Sequence, residues 1–335
     1  MKKITDVARA ANVSIATVSK VFNGYSDIAE DTKEKILRIA KEMDYFPNHY
    51  ASRLVKGKDE GICVVLSNFG GSSAKDEYLV GLLSGIHSEA EKYRLRVIIS
   101  TEEAILQDNR NYVQFCRSNK FMGFIIHGLG MSSPGIAHLL ESEVSCVFVD
   151  IKASGEKKAF VTTDNVSACT DMVDVLFGLG HREIAFIAGS GDAWVTLERI
   201  KGYEAAMNKH QLSSHVMYTD FRYAMGYEKA REHVLKHPET TALFCASDVL
   251  AAAAIDACID LGYDVPREIS VTGYDDLSFA SYLRPKLTTI AQDFYGMGVN
   301  ALATIIQMYQ NFTIDPVIYV PYEIKIRQSA VRNSR

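Results

Sequence analysis

A chain of 335 residues, 47% hydrophobic and 23% charged, is long enough to bury more than one core and too apolar to be disordered. The start, MKKITDVARA, has two lysines but no apolar run behind them, which excludes a secretory signal; no stretch reaches the about 18 apolar residues of a membrane span, since Asp256 and Asp260 interrupt AAAAIDACIDLG. The net charge of −5 hides a split: residues 1–60 carry 11 Lys and Arg against 9 Asp and Glu, the remainder 25 against 32, so a mildly basic head precedes an acidic body, a distribution compatible with nucleic-acid contact through the head alone.

In chain order, Thr5 is placed to cap a short helix with Val7, Ala8 and Ala11 on one face. Asn12 tolerates left-handed backbone, Val13 plugs the turn, and Ser14 is positioned to cap a second helix from Ile15 to Phe22. In it Val18 and Val21 face inward, leaving Ile15, Ala16, Thr17, Ser19 and Lys20 outside. Two short helices across a tight turn can place the second in the major groove of DNA, although the pattern also suits other small three-helix domains. A third helix, from about Glu30 to Met43, buries Ile36, Leu37, Ile39, Ala40 and Met43, and the proline of Tyr45-Phe46-Pro47-Asn48 ends it. Residues 49–58 then read as a helix too brief to be stable alone, with Asn48 as its cap and Gly57 as its stop.

From Gly61 short apolar runs alternate with helices. The strand-like runs are ICVVLSN, RVIIST, GFIIHG, SCVFVD, FVTTD, EIAFIAG, HVMYT, ALFCAS and ISVTGYDD; helical stretches include 76–93, 108–118, 166–179, 196–209, 224–236 and 249–261. Apolar strands each followed by a helix mean parallel sheets covered on both faces, which suits two doubly wound lobes, a single barrel being the alternative. Cys63, Cys116, Cys146, Cys169, Cys245 and Cys258 lie far apart in apolar runs with no metal-ligand spacing, so reduced thiols and no metal are expected. The absence of GxSxG, of a Walker loop and of GxGxxG after a first strand argues against an enzyme, and no catalytic residue and no cofactor are assigned.

Ligands of open α/β sheets sit at the carboxyl ends of the strands. Those ends supply Ser67-Asn68-Phe69, His127, Asp150-Ile151, Ser190, Ser247-Asp248 and Asp275, with Phe221 after HVMYT, Trp194 nearby and Arg199 one turn into its helix. Carboxylates, an amide and a guanidinium beside aromatic faces suit a polyol or sugar. Four of these have a plainer reading: Asp275 as a turn cap, Arg199 as a surface ion pair, His127 as a packed histidine, Trp194 as cover for an interlobe edge.

The strings TDVARAANVSIATVSKVFNG and DTKEKILRIAKEMDYFPNHYASRL resemble the head and hinge of the LacI/GalR family of transcription regulators. Asp164-Asn165, Gly180-His181-Arg182-Glu183-Ile184, Arg199-Ile200-Lys201-Gly202-Tyr203, Ala246-Ser247-Asp248, Gly273-Tyr274-Asp275-Asp276 and Pro285-Lys286-Leu287-Thr288-Thr289-Ile290 extend the resemblance through the body. It implies an all-α helix-turn-helix head (1–46), a hinge helix and linker (47–60), and a periplasmic-binding-protein-like body of two doubly wound lobes. The N-lobe would comprise 61–160 with about 291–320, and the C-lobe 161–290 with about 321–335. It also implies a cytoplasmic homodimer on near-palindromic double-stranded operator DNA, a repressor in its most general form, controlled by a small molecule such as a sugar or sugar phosphate.

By motif position Ile15, Ala16 and Lys20 would read bases. Thr5, Ser14, Thr17, Ser19, Asn23 and His49 or Arg53 would position phosphates, Ala51 would be a further DNA contact, and Leu54 would wedge into the minor groove. The implied effector set is Asn68, Phe69, His127, Ile151, Trp194, Arg199, Phe221, Asp248 and Asp275. Lys20 stands where arginine is usual, Asn12 replaces a turn glycine, and Ala29 replaces a capping serine. The chain ends shortly after RQS at 327–329, so the further helix by which some members tetramerise is not expected and a dimer is. A sugar- or nucleoside-binding receptor-like protein without a gene-regulatory role, and control by a protein corepressor, are the alternatives.

Overall fold

The computed structural model describes residues 4–22, 28–43, 61–66, 73–107, 111–130 and 132–333. The chain divides into two compact units, Met1–Asp59 and Glu60–Arg335. The first holds α1 (Ile4–Ala11), α2 (Ile15–Phe22) and α3 (Glu30–Glu42). Their apolar stripes meet at Val7, Ala11, Val18 and Ile36, all fully buried. Asn12 takes the left-handed conformation at φ 55°, and the Val13 amide returns to the Ala8 carbonyl at 3.0 Å, which closes the turn. Thr5 lies inside α1 rather than ahead of it, because the helix already includes Ile4; the expectation that it caps the helix is therefore corrected. Ala29 gives α3 no side-chain cap, and Glu30 and Asp31 place negative charge against the positive end of its dipole instead.

The second unit contains two six-stranded sheets. The N-lobe sheet is formed by β1 (Gly61–Leu66), β2 (Arg96–Thr101), β3 (Phe121–His127), β4 (Ser145–Val149), β5 (Lys158–Thr163) and β11 (Val317–Val320). Their order is β11-β5-β4-β3-β1-β2, and every pairing is parallel. The C-lobe sheet is formed by β6 (Ile184–Ile187), β7 (His215–Met217), β8 (Ala242–Cys245), β9 (Ser270–Asp275), β10 (Thr288–Gln292) and β12 (Tyr322–Lys325), in the order β12-β10-β9-β8-β6-β7, with only β12 antiparallel. Two separate sheets dispose of the barrel alternative.

Helices cover the sheets. Those of the N-lobe are α4 (Ser73–Tyr93), α5 (Glu102–Leu106), α6 (Tyr112–Ser118), α7 (Pro134–Glu141) and α12 (Phe294–Tyr309). Those of the C-lobe are α8 (Asn165–Gly178), α9 (Trp194–Lys209), α10 (Tyr223–Lys236) and α11 (Asp248–Asp260). α4 and α12 touch backbone to backbone: a Cβ on Gly85 would sit 2.1 Å from the Tyr295 carbonyl oxygen, and one on Gly298 2.1 Å from that of Leu82. The glycines there allow the helices to approach as closely as they do.

The chain passes between the sheets after Thr163, after Gln292 and at Pro321. β5 and β10 thus run a few residues beyond the lobe limits of 160 and 290 read from sequence. All six cysteines are free and buried, and burial pushes the Cys63, Cys146, Cys169 and Cys258 thiols up to about 12. His181 is buried between the Thr241 hydroxyl and the Val331 carbonyl, each 3.0 Å away.

Candidate nucleic-acid interface and interlobe site

The outward face of α2 carries the candidate base readers. Ser14 Oγ accepts from the Thr17 amide at 3.0 Å and bonds the Thr17 hydroxyl at 2.8 Å, which fixes the helix start. Beyond that cap Ile15 is 49% exposed, and Ala16 and Lys20 are exposed as well, so the positions that would meet base edges carry little of the head's core. Thr5 is exposed on α1 and Ser19 lies on α2. Asn23, His49, Ala51, Arg53 and Leu54 lie outside the described residues, as does the whole expected hinge at 47–60.

In the body a continuous polar network forms where the crossing strands β5 and β10 meet through Thr163 and Gln292, near the lobes' strand ends. Tyr78 of α4 donates its hydroxyl to Asp150 Oδ2 at 2.8 Å, and Thr162 donates to Asp150 Oδ1 at 2.7 Å. Asn165 donates to the Thr162 hydroxyl at 3.2 Å and the Thr163 carbonyl at 2.9 Å. Its Oδ1 accepts from Arg199 Nε at 2.8 Å and from the Tyr274 hydroxyl at 2.9 Å. Arg199 also donates Nη1 to the Ala246 carbonyl at 2.6 Å, and its guanidinium lies 3.7 Å over the Tyr274 ring.

Thr163 donates to Gln292 Oε1, and Gln292 Nε2 donates to Asp275 Oδ1, each at 2.8 Å; the two crossing strands are tied together beside the carboxyl. Asp275 sits at φ 112° and Asp150 at φ 60°, backbone that side chains seldom adopt and that is maintained here by these bonds. Burial pushes the Asp275 carboxyl up to about 7, against the opposing pull of Arg199 and of the Gln292 hydrogen bond. Burial works against the Arg199 charge, but Tyr274, Asp275 and Asp150 more than offset it and the guanidinium is held above its ordinary range. Burial, then Asp150, pushes the Tyr78 phenol well up.

The remaining candidates divide. His127 closes β3 with its ring stacked on Tyr78 at 4.6 Å, and Tyr78 in turn meets Phe294 at 4.4 Å. Trp194, at the first turn of α9 in the C-lobe, packs edge-on against Phe160 of the N-lobe at 5.3 Å and thus spans the seam. Phe221, at φ 64°, lays its ring over Gly189, where a Cβ would come within 1.9 Å of it.

Two expectations are corrected. Ile151 is 4% exposed and belongs to the N-lobe core. Asp248 is fully buried, with Thr289 donating to Oδ1 at 2.5 Å and the Leu277 amide to Oδ2 at 2.7 Å, so its carboxyl joins three elements of the C-lobe instead of facing a ligand. Asn68 and Phe69 lie outside the described residues. Tyr78, Asn165, Gln292 and Phe294 were missed. Asn165 stood in a noted motif without a role, and Tyr78 and Phe294 lie on helices, where a search of strand ends does not look.

No group of three or more His, Cys, Asp or Glu side chains among the described residues could hold a metal ion. A groove of about 480 Å³ between α10 and α11, lined by Tyr223, Tyr227, Asp256 and Asp260, lies away from the network. We place the candidate site at the network, where strand ends, buried charge and both lobes coincide.

A helix-turn-helix head on a two-lobed, periplasmic-binding-protein-like body defines a DNA-binding transcriptional regulator. Residues 3–48 match the model of bacterial regulatory proteins of the lacI family, and residues 173–330 match the periplasmic binding protein-like domain. The HTH-type transcriptional regulator DegA of Bacillus subtilis is 31% identical over 303 residues, 88% of this chain and 88% of that one. RegA of Clostridium saccharobutylicum, also an HTH-type transcriptional regulator, is 29% identical over 98% of this chain and 99% of its own. Among solved structures, the transcriptional regulator CelR in complex with cellobiose matches with a TM-score of 0.70 at 25% identity, covering 98% of this chain and 100% of that one. The lac repressor dimer bound to operator and the anti-inducer ONPF matches with a TM-score of 0.68 at 25% identity, covering 98% and 99%. The chain belongs to the LacI family of bacterial regulatory proteins.

Proposed function

We propose that this regulator is a cytoplasmic repressor that binds a near-palindromic operator as a homodimer and loses or gains operator affinity when a neutral polyhydroxylated molecule, a sugar, occupies the seam between its lobes. Ile15, Ala16 and Lys20 read bases. Thr5, Ser14, Thr17, Ser19, Asn23 and His49 or Arg53 position phosphates, Ala51 is a further DNA contact, and Leu54 opens the minor groove. Arg199, Asp275, His127, Trp194 and Phe221 contact the effector together with Asn68 and Phe69, and Tyr78 and Asp150 join them.

The observation that carries the choice of ligand is the charge balance of the network. Asp150 and Asp275 face one guanidinium, and Arg199 has already committed Nε and Nη1 to Asn165 and Ala246. No surplus positive charge remains among these groups for a phosphate, whereas paired acceptors and donors beside aromatic rings suit vicinal hydroxyls. The neutral sugar is therefore preferred to the sugar phosphate. That CelR was solved with cellobiose and the lac repressor with ONPF supports a sugar-like ligand for this body. A thermal-shift screen of pentoses, hexoses and disaccharides against their phosphates tests this: the neutral compounds should raise Tm by mass action and remain chemically unchanged. Stabilisation by phosphates alone, or turnover of a hit, would overturn it.

A further inference from the structure

Two adjacent residues at the start of α4 face opposite lobes. Tyr78 holds the N-lobe strand end through Asp150 and stacks on His127. Glu77 reaches into the C-lobe: both carboxylate oxygens accept from the Ser278 amide, at 2.8 and 2.9 Å, and Oε2 accepts from the Ser278 hydroxyl at 2.9 Å. Ser278 opens a short 3-10 helix, Ser278–Ser281, that follows β9 and Asp275. A carboxylate receiving three donor contacts from one residue two hundred positions away is a specific tie and not an incidental surface pair.

We infer that Glu77 is the latch of the lobes, a positioning residue that holds the body closed and links that closure to the cleft through its neighbour Tyr78. α4 is suited to bear the load. Gly81, Gly85 and Gly298 let it lie directly against α12, and α12 begins where the chain leaves β10 for the N-lobe. A shift of Tyr78 by a molecule bound between Asp150 and Asp275 is thereby a shift of Glu77, and the rigid α4–α12 pair passes it to the crossing at Gln292. A second tie, from Ser132 Oγ to Asp192 Oδ2 at 2.9 Å, joins the lobes two residues before Trp194, which itself packs across the seam against Phe160. The role of the latch in regulation rests on the effector reading above; the latch itself does not.

Trp194 is the one tryptophan of the chain and lies across the seam against Phe160, so its accessibility reports closure with no effector present. The experiment is acrylamide quenching of the full-length protein and of Glu77→Ala, Glu77→Gln and Ser278→Ala, with far-UV circular dichroism to confirm folding. Losing a charge-assisted bond should lower the closed-to-open ratio on the order of tenfold, so Glu77→Ala should quench more strongly and emit further to the red. Glu77→Gln, which keeps one acceptor, and Ser278→Ala, which keeps the amide, should fall between it and the wild type. A folded Glu77→Ala with wild-type quenching would overturn the latch. Failure of every sugar to change the wild-type signal would count against the effector reading and leave the latch standing.

Discussion

The sharpest consequence of the network concerns Asp275→Asn. Its carboxyl moves from an ordinary 3.8 to about 7 on folding, chiefly through burial, so the folded protein binds its proton more tightly than the unfolded chain does. The contribution to stability is full below 3.8, and it is lost as pH rises through 7. The displacement corresponds to at most about 4 kcal/mol. Asp275 is not fully enclosed, and discounting for solvent screening leaves about 2 kcal/mol that ionisation costs at neutral pH, net of the attraction to Arg199. Asparagine keeps the acceptor for Gln292 and cannot ionise, so the variant should be more stable than the wild type at pH 8, by about 5 °C in Tm for a body of this size. The advantage should shrink as pH falls and vanish near pH 4. Paired thermal melts across that range are the assay, with the sugar response lost throughout. If Asp275→Asn instead melted lower at pH 8 than the wild type, the Asp275–Arg199 attraction would outweigh the burial cost and the electrostatic account of the site would be wrong.

Other substitutions probe the scaffold and the head. His233 is 7% exposed, faces His215, His237 and Glu239, and bonds the Thr240 hydroxyl at 3.0 Å; burial first, then the two histidines, hold it down at about 4 against an ordinary 6.5. Its contribution is present above pH 6.5 and lost as pH falls towards 4, so His233→Gln should flatten that part of the stability profile by up to about 3 kcal/mol in chemical denaturation. Gly85→Ala drives a methyl into the Tyr295 carbonyl and should cost about 1–3 kcal/mol, visible as a lowered Tm. Leu54→Ala should weaken specific operator binding by roughly 1–3 kcal/mol in anisotropy titrations while leaving affinity for random DNA nearly unchanged.

What could be read from sequence followed local chemistry. The turn Asn12-Val13-Ser14 and the stripe Val18, Val21 gave α2 its limits to the residue, because caps and turn conformers act within a few positions. The doubly wound body was legible from apolar runs, but α12 was not: it is apolar nearly all round, being wedged between α4 and the sheet, and offers no face to detect. β2 reads as a buried strand, yet Ile98 and Ile99 are 37% and 46% exposed because the strand lies at the sheet edge. In the site, Arg199 and Asp275 both belong to the polar network, whereas Asp248 shows the limit of the strand-end rule. The rule locates a backbone; it does not say whether a carboxylate turns outward or back to Thr289 and Leu277. Glu77 and Tyr78 depend on how the lobes close, which no local pattern encodes.

The central claim, that one chain couples a sugar site to DNA recognition, is tested most directly by a reciprocal titration. A near-palindromic operator is selected in vitro with the full-length protein, its affinity is measured by fluorescence anisotropy with and without a sugar from the screen, and sugar affinity is measured with and without operator. The two factors should agree and lie at about 5- to 150-fold, the range of ordinary allosteric coupling, and a fragment starting at Gly61 should bind the sugar but not the DNA. Operator affinity indifferent to a sugar that demonstrably binds, or operator binding by the headless fragment, would contradict the account.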